Sequence, residues 1–151
     1  MVKHYCPPRD EVIFHEVGHA VVAIREGANV TNVEVRGISA SRAGQATVFL
    51  DPGEMPIISQ LMITQAGTAS QMIRRLLKIW DGVPPVPEHW LPDEVLTINA
   101  LSDSKLFKKF FDTANLQVDR VRFQTRILSS TIQLLGDPII WGQVEAIAKA
   151  L

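Results

Sequence analysis

The stretch that decides the fold is DEVIFHEVGHAVVAIREG, residues 10–27. Asp10 is a favoured helix N-cap residue, and Gly27 is of the type that ends a helix. The apolar positions between them have helical spacing around most of the circumference, which predicts a mostly buried helix. Gly18 lies in its interior, where it costs about 0.5–1 kcal/mol relative to alanine. We therefore expect another helix to approach closely at Gly18.

The same helix carries two histidines and a glutamate in the order HExxH. His15 and His19 are four residues apart, so their imidazoles project from one face a single turn apart. That spacing suits two nitrogen ligands of one Zn²⁺. Glu16 is rotated off the ligand direction, so it can act as a general base on a water without binding the metal. In a shuffled chain of this composition, the expected number of occurrences of the motif is only roughly 0.004.

The pattern changes twice beyond this helix. Alternation in TNVEVRG (31–37) and QATVFL (45–50) predicts a small β-sheet or hairpin. Helical spacing then resumes from Ile58 to Trp80 and predicts one long helix. Residues 81–92, DGVPPVPEHWLP, are proline-rich and are predicted to form a loop near the site.

The C-terminal part is helical in pattern. A helix can begin at Pro92 and run toward Leu101, and apolar residues around 106–111 predict another. A longer one is predicted from Leu116 to Leu135. The sequence GDP at 136–138 separates it from a last helix.

These elements define the expected fold. Residues 1–9 are predicted to be an irregular lead-in because of Pro7 and Pro8. We predict a single α+β domain over residues 1–151 that is predominantly helical. It would combine a zincin-like HExxH helix, a small β-sheet or hairpin and a C-terminal helical bundle.

Composition excludes several classes of protein. Charged residues make up 21% and hydrophobic residues 46%, as in ordinary globular domains. The net charge of -1, with 15 basic and 16 acidic side chains, argues against a nucleic-acid binder. Cys6 is the single cysteine, so no internal disulfide can form. There is no apolar run of membrane-spanning length and no secretory leader pattern, so we expect a cytoplasmic protein.

The motif HEVGHAVVA closely resembles the HEAGHA signature of the FtsH-type peptidases, the M41 family. Phe14 stands where an aromatic residue often precedes that signature. The segment AGQATVFLD (43–51) resembles the family's β segment, and AGTASQ (66–71) is similar to its AGRAAE stretch. The order of these features matches the family over roughly residues 10–150. The extended metzincin pattern is absent, because it would need Gly and His in place of Val22 and Arg25.

The resemblance implies a third zinc ligand, an aspartate early in a later helix. Asp93 in LPDEVLTINAL is the matching position. A carboxylate there would complete a His₂-carboxylate site with one position open for water. Asp93 would also suit the first turn of a helix for electrostatic reasons alone. Glu88, His89 and Glu94 are the nearest competing candidates for the third ligand in the same stretch.

Two departures from the family bear on function. The family joins this domain to membrane helices and an AAA+ ATPase, and the sequence shows neither of them nor a GxxxxGKS/T phosphate loop. Gln71 stands where the family has glutamate. The resemblance therefore leaves room for a homo-oligomer and for an ATPase partner that acts in trans.

The function predicted is that of a zinc-dependent metalloendopeptidase acting on peptides or unfolded proteins. An extended substrate could add to the edge of the short sheet near Val48–Leu50. The alternative is a zinc-containing but non-catalytic binding or regulatory module. An intact Glu16 favours the enzyme, since a structural site has no use for a general base.

The remaining charged residues are predicted to lie on solvated helix faces. Lys105, Lys108 and Lys109 would be offset there by Asp103, Asp112 and Asp119. Cys6 and His4 are expected to belong to the terminus without a metal of their own.

Overall fold

The structure is a computed structural model that describes residues 3–5, 9–34, 45–49, 55–80 and 95–151. Within these ranges the chain is predominantly helical, as predicted, and its helices are α1 (Arg9–Arg25), α2 (Ile57–Trp80), α3 (Ile98–Thr113), α4 (Arg120–Leu135) and α5 (Pro138–Ala150). Among the described helices, none is long and apolar enough to cross a membrane.

Helix α1 forms because its charged residues are confined to its ends and to the motif. Asp10 and Glu11 lie in the first turn and Arg25 in the last, where they complement the helix dipole. The turns between them are apolar on nearly all sides, which is the pattern of a buried helix. Gly27 follows with φ of 89°, a left-handed conformation that glycine adopts without strain. The predicted helix end at Gly27 is confirmed.

The core has two parts, and α2 contributes to both. On one side α2 packs against α1, and α5 also packs against α1. This larger cluster contains buried residues from four helices: Phe14, Val17, Val21, Ile63, Ala66, Leu135, Trp141 and Val144. On the other side α2 meets α3 and α4 in a smaller cluster formed by Leu61, Phe107, Phe111 and Ile127.

Four short strands form two separate pairs within the described residues. Strand β2 (Asn29–Glu34) pairs antiparallel with β3 (Gln45–Phe49), with an irregularity between Val30 and Asn32. Strand β1 (Lys3–Tyr5) pairs in parallel with β4 (Val95–Thr97). The predicted substrate edge at Val48–Leu50 therefore lies partly in β3, while Leu50 lies outside the described residues.

The parallel pair corrects two predictions. The lead-in 1–9 is not wholly irregular, because Lys3–Tyr5 is a strand. The helix expected from Pro92 does not include Val95–Thr97, since these residues are extended and α3 begins at Ile98. Two of the three residues in β4 are β-branched, which favours extended backbone, and pairing satisfies polar groups of both segments. Such pairing joins segments about 90 residues apart, so no local pattern reveals it.

The C-terminal helices have clear boundaries. Asn115 with φ of 53° follows α3, and the Asp119 side chain accepts a hydrogen bond from the Arg122 backbone N–H at the start of α4. Helix α4 therefore begins at Arg120 and not at Leu116 as predicted. The predicted break at 136–138 is confirmed, because Gly136 ends α4 and the Asp137 side chain caps α5.

Candidate metal centre

The two histidines of the HExxH motif lie in the interface between α1 and α2. His15 is 1% exposed and His19 9%, and their rings contact each other edge to face. Helical spacing places both Nε2 atoms together, 3.1 Å apart. The imidazoles therefore share one small space inside the protein, as the spacing predicts.

Asp103 from the first half of α3 completes the cluster. Its Oδ2 lies 2.9 Å from His15 Nε2 and 3.0 Å from His19 Nε2. These three side chains form a group whose ligand atoms could bind one metal ion. The prediction that Asp103 lies on a solvated face with the lysines is wrong, because its carboxylate points inward to the histidines.

The separations of the three atoms suit a small metal ion. Two ligand atoms at 2.0–2.1 Å from a tetrahedral zinc are about 3.3–3.4 Å apart. The observed separations of 2.9–3.1 Å are a few tenths of an ångström shorter. A bound zinc would therefore require the three atoms to move apart by a few tenths of an ångström.

Hydrogen bonds at the other ring nitrogens orient both imidazoles. His19 Nδ1 donates to the backbone carbonyl of Ile63 at 2.7 Å. His15 Nδ1 donates to Gln71 Oε1 at 2.5 Å. A neutral imidazole that donates from Nδ1 has a lone pair on Nε2. Both lone pairs are thus directed toward the carboxylate oxygen of Asp103.

This arrangement brings three hydrogen-bond acceptors together with no donor among them. Three lone pairs within about 3 Å repel one another unless a cation lies between them. A proton on one imidazole or a bound metal ion would supply the positive charge. The cluster therefore needs one positive charge, which either a proton or a metal ion could supply.

The protonation behaviour follows from the same geometry. Burial lowers the pKa of His19, but the charge of Asp103, the hydrogen bond to it and the charge of Glu16 raise it to about 9. Burial raises the pKa of Asp103, but the two histidines hold it well below its usual range. When no metal is bound, both pKa shifts favour a protonated His19 beside an ionised Asp103.

Glu16 lies beside the ligands and is not one of the three. Its side chain is 4% exposed, and its carboxylate is close enough to His19 to raise that pKa. The next residue along a helix is rotated by about 100°, which explains why Glu16 adjoins the cluster without joining it. A buried carboxylate in this position can accept a proton from a group bound at the cluster.

Two glycines make the close approach of α1 and α2 possible. A β-carbon at Gly18 would lie 2.5 Å from Ser70 Cβ and 2.6 Å from the Ala66 carbonyl oxygen. The predicted approach of another helix at Gly18 is confirmed, and that helix is α2. A β-carbon at Gly67 would lie 2.5 Å from His19 Nε2 and would also meet His15 Nε2. Gly67 therefore keeps clear the space beside the candidate ligand atoms.

Polar contacts from neighbouring helices support the site. Arg75 of α2 donates two hydrogen bonds to the buried carboxylate of Glu11, at 3.2 and 3.3 Å, and so ties α2 to the start of α1. Gln124 of α4 donates to Ser104 at 3.2 Å, next to Asp103. These contacts fix the helices from which the ligands project.

The sequence predicted the α1 half of the site. The structure brings His15, Glu16 and His19 together at the interface with α2, as the HExxH spacing requires. Asp93 lies outside the described residues. The three competing candidates of the same stretch also lie outside them: Glu88, His89 and Glu94.

Asp103 is the site residue that sequence reasoning missed, although one signal for it was present. Asp103, Phe107 and Phe111 recur every fourth residue, so an acidic residue shares the apolar face of α3. A carboxylate on a buried face needs a partner. That requirement, applied to α3, would have indicated that Asp103 has a partner inside the protein.

Comparison with known proteins gives no family assignment. No model of a protein family matches the chain, and no curated protein matches it either. The likeness to FtsH-type peptidases therefore rests on the sequence motifs alone and stays a prediction.

Proposed function

We propose that the protein is a zinc-dependent metalloendopeptidase that hydrolyses peptide bonds in peptides or unfolded proteins. The observation that carries the proposal is the convergence of His15 Nε2, His19 Nε2 and Asp103 Oδ2 on one buried point beside Glu16. Two imidazoles and one carboxylate form a donor set that catalytic zinc uses.

The donor set alone does not select the metal or the reaction. Two histidines and one carboxylate also bind iron in oxygenases. Glu16 distinguishes the two possibilities, since hydrolysis needs a general base beside the ligands. Its position next to His15 in an HExxH helix favours zinc-dependent hydrolysis.

The residues of the cluster and its neighbours would have three roles: metal binding, proton transfer and orientation of the imidazole rings. His15, His19 and Asp103 would hold the zinc, which when bound acidifies water and polarises a carbonyl group. Glu16 would accept the proton of the attacking water and return it to the leaving amine. Gln71 and the Ile63 carbonyl hold the rings in the ligating orientation.

The proposed function also implies a kind of substrate, partners and a compartment. The substrate would be an extended chain, because a buried centre in a helix interface cannot reach a bond inside a folded protein. Energy-dependent unfolding would need an ATPase partner in trans, and assembly into a homo-oligomer would accompany it. The cytoplasm is the compartment expected for such a protein.

The test is cleavage of unfolded casein and of fluorogenic peptides by zinc-supplied protein. We expect hydrolysis that a chelator abolishes and zinc restores. Glu16→Gln should keep the zinc but lower hydrolysis about 10²–10⁴-fold, because an amide cannot accept the proton. Glu26→Gln is the matched control, since Glu26 follows the same helix and bonds Ser59 away from the centre.

Two outcomes would contradict the enzyme. One is a fully zinc-loaded wild type that cleaves no better than Glu16→Gln, which would favour the non-catalytic binding module. The other is iron in place of zinc after expression with both metals supplied.

A further inference from the structure

Gln71 is a buried glutamine whose side chain faces the candidate centre. It is 4% exposed and lies one helical turn beyond Gly67 on α2. Its Oε1 accepts the hydrogen bond from His15 Nδ1. Among the described residues, its Nε2 has no hydrogen-bond partner. Burying an amide N–H group without a hydrogen bond is unfavourable, so stability alone does not explain a glutamine at this position.

We infer that Gln71 is a positioning residue that holds His15 with its proton on Nδ1. Because its amide is neutral, we also infer that the centre binds zinc more weakly than it would with a carboxylate at this position. The inference rests on the proposed function, because it requires zinc at the centre. It goes further by assigning a role to a residue that touches no reacting atom.

The first half of the inference follows from the tautomer. A carbonyl oxygen can only accept, so the proton must be on Nδ1 and the lone pair on Nε2. Without that acceptor, the His15 proton could move to Nε2 and donate to Asp103 Oδ2, 2.9 Å away. A proton in that place competes directly with the metal. Gln71 therefore favours the form of His15 that can ligate.

The second half follows from charge. A metal-bound histidine commonly donates its other N–H to a carboxylate, which makes the imidazole more basic. An amide oxygen is a weaker acceptor than a carboxylate. The centre is already close to the carboxylates of Asp103 and Glu16. A neutral group at Gln71 leaves a bound zinc less neutralised and therefore more strongly electrophilic.

The experiment measures zinc affinity by competition with a chelator for wild type and two Gln71 variants. Gln71→Leu removes the acceptor, and we expect zinc to bind about 10–100-fold more weakly. Gln71→Glu supplies a carboxylate, and zinc should bind about 10-fold more tightly. Gln60→Leu and Gln60→Glu are the controls, because Gln60 also lies on α2 but donates to the Met55 carbonyl away from the cluster. The controls should stay within about threefold of wild type.

A second measurement separates positioning from loss of packing. In nitrogen-15 NMR of the zinc-loaded protein, the Nδ1–H protons of both histidines should be shifted downfield and slow to exchange, because both are hydrogen-bonded. In Gln71→Leu the His15 signal should lose this signature. The His19 signal should keep it, since its acceptor is the Ile63 carbonyl.

The outcomes distinguish the role of Gln71 from the metallopeptidase function on which it rests. Wild-type protein that binds no zinc overturns both. Wild type that binds one zinc, with Gln71→Leu within threefold of its affinity and an unchanged His15 signal, overturns the role of Gln71 alone. A Gln71→Glu protein that folds and binds zinc more weakly than wild type overturns the part that concerns charge.

Discussion

Helix α2 packs against its neighbours in two different ways. Toward α3 and α4 it contributes Leu61 to a wholly apolar cluster with Phe107, Phe111 and Ile127. Toward α1 it combines an apolar part with buried polar groups, including Ser70 and Gln71 opposite the HExxH motif. Both interfaces are buried, but among the described residues the buried histidines and Glu16 lie at the interface with α1.

The two interfaces contribute differently: the apolar one mainly stabilises the fold, and the one with α1 contains the polar groups of the candidate site. Apolar side chains gain roughly 1.5–3 kcal/mol each on burial, so the cluster around Phe107 contributes to folding directly. Buried polar groups need partners merely to recover their desolvation cost. The α1–α2 interface therefore gains less from burial per residue, and the polar groups that it buries are those of the candidate site. Substitutions in the two interfaces should fail in different ways.

The largest expected effect lies in the apolar interface. Phe107→Ala removes a fully buried ring and should lower the free energy of unfolding by about 3–5 kcal/mol. Denaturant unfolding would measure it. Phe107→Leu is the control and should cost much less. A loss below about 1 kcal/mol for Phe107→Ala would mean that this cluster is not a core.

The next largest effect is a loss of zinc affinity when the third candidate ligand, Asp103, is replaced. Asp103→Asn keeps the size of the side chain but removes its charge, so zinc affinity should fall by more than the roughly 10–100-fold typical of an outer-shell residue. Asp112→Asn on the same helix should have no effect, because Asp112 is exposed. Chelator competition measures both. Equal effects of the two substitutions would contradict Asp103 as the third ligand and favour Asp93 instead.

A smaller effect concerns the glycine at the crossing of α1 and α2. Gly18→Ala places a β-carbon against Ser70 and the Ala66 carbonyl, and should cost about 1–3 kcal/mol. Gly142→Ala in α5 meets nothing within 4 Å and should stabilise the protein by about 0.5–1 kcal/mol. Thermal unfolding of the two variants tests the contrast. Changes of the same sign would show that α1 and α2 are not in tight contact.

The smallest effect is the dependence of zinc binding on pH. The pKa of His19 is raised to about 9, so metal-free protein carries an imidazolium at neutral pH. A ligating histidine must be neutral, so zinc binding at pH 7 should release about one proton. Calorimetry in buffers of different ionisation enthalpy measures this number. A value near zero would contradict the coupling between His19 and Asp103.

The same shift predicts how stability varies with pH. A raised pKa stabilises metal-free protein below the ordinary histidine value of 6.5, and this contribution is lost as pH rises through about 9. The lowered pKa of Asp103 stabilises the metal-free protein above pH 3.8, the ordinary pKa of an aspartate, and that contribution is lost in acid. The rise in Tm on adding zinc should therefore grow from pH 6 to pH 9. A rise that does not change over this range would be inconsistent with the site.

Local patterns were enough to predict the long elements. Periodicity placed α1 and α2, and capping chemistry placed the break between α4 and α5. Local patterns failed where the structure depends on distant partners. The strand Lys3–Tyr5 exists because Val95–Thr97 lies beside it, and no neighbouring residue signals that contact.

The site shows the same division. His15, Glu16 and His19 share one helix, so the spacing alone brings them together. The third candidate ligand, Asp103, comes from α3, and its position depends on how α3 packs against α2. Asp93 is predicted from order along the chain, and it stays a prediction because it lies outside the described residues. The position of Asp103 on the apolar face of α3 was the one local sign of it.

Zinc stoichiometry tests the central claim most directly. Elemental analysis of zinc-supplied, dialysed protein should find about one zinc per chain in the wild type and in the Asp112→Asn control. His15→Ala combined with His19→Ala should reduce zinc to background, because it removes two of the three ligands. Full zinc in this double variant, or none in the wild type, would contradict the account.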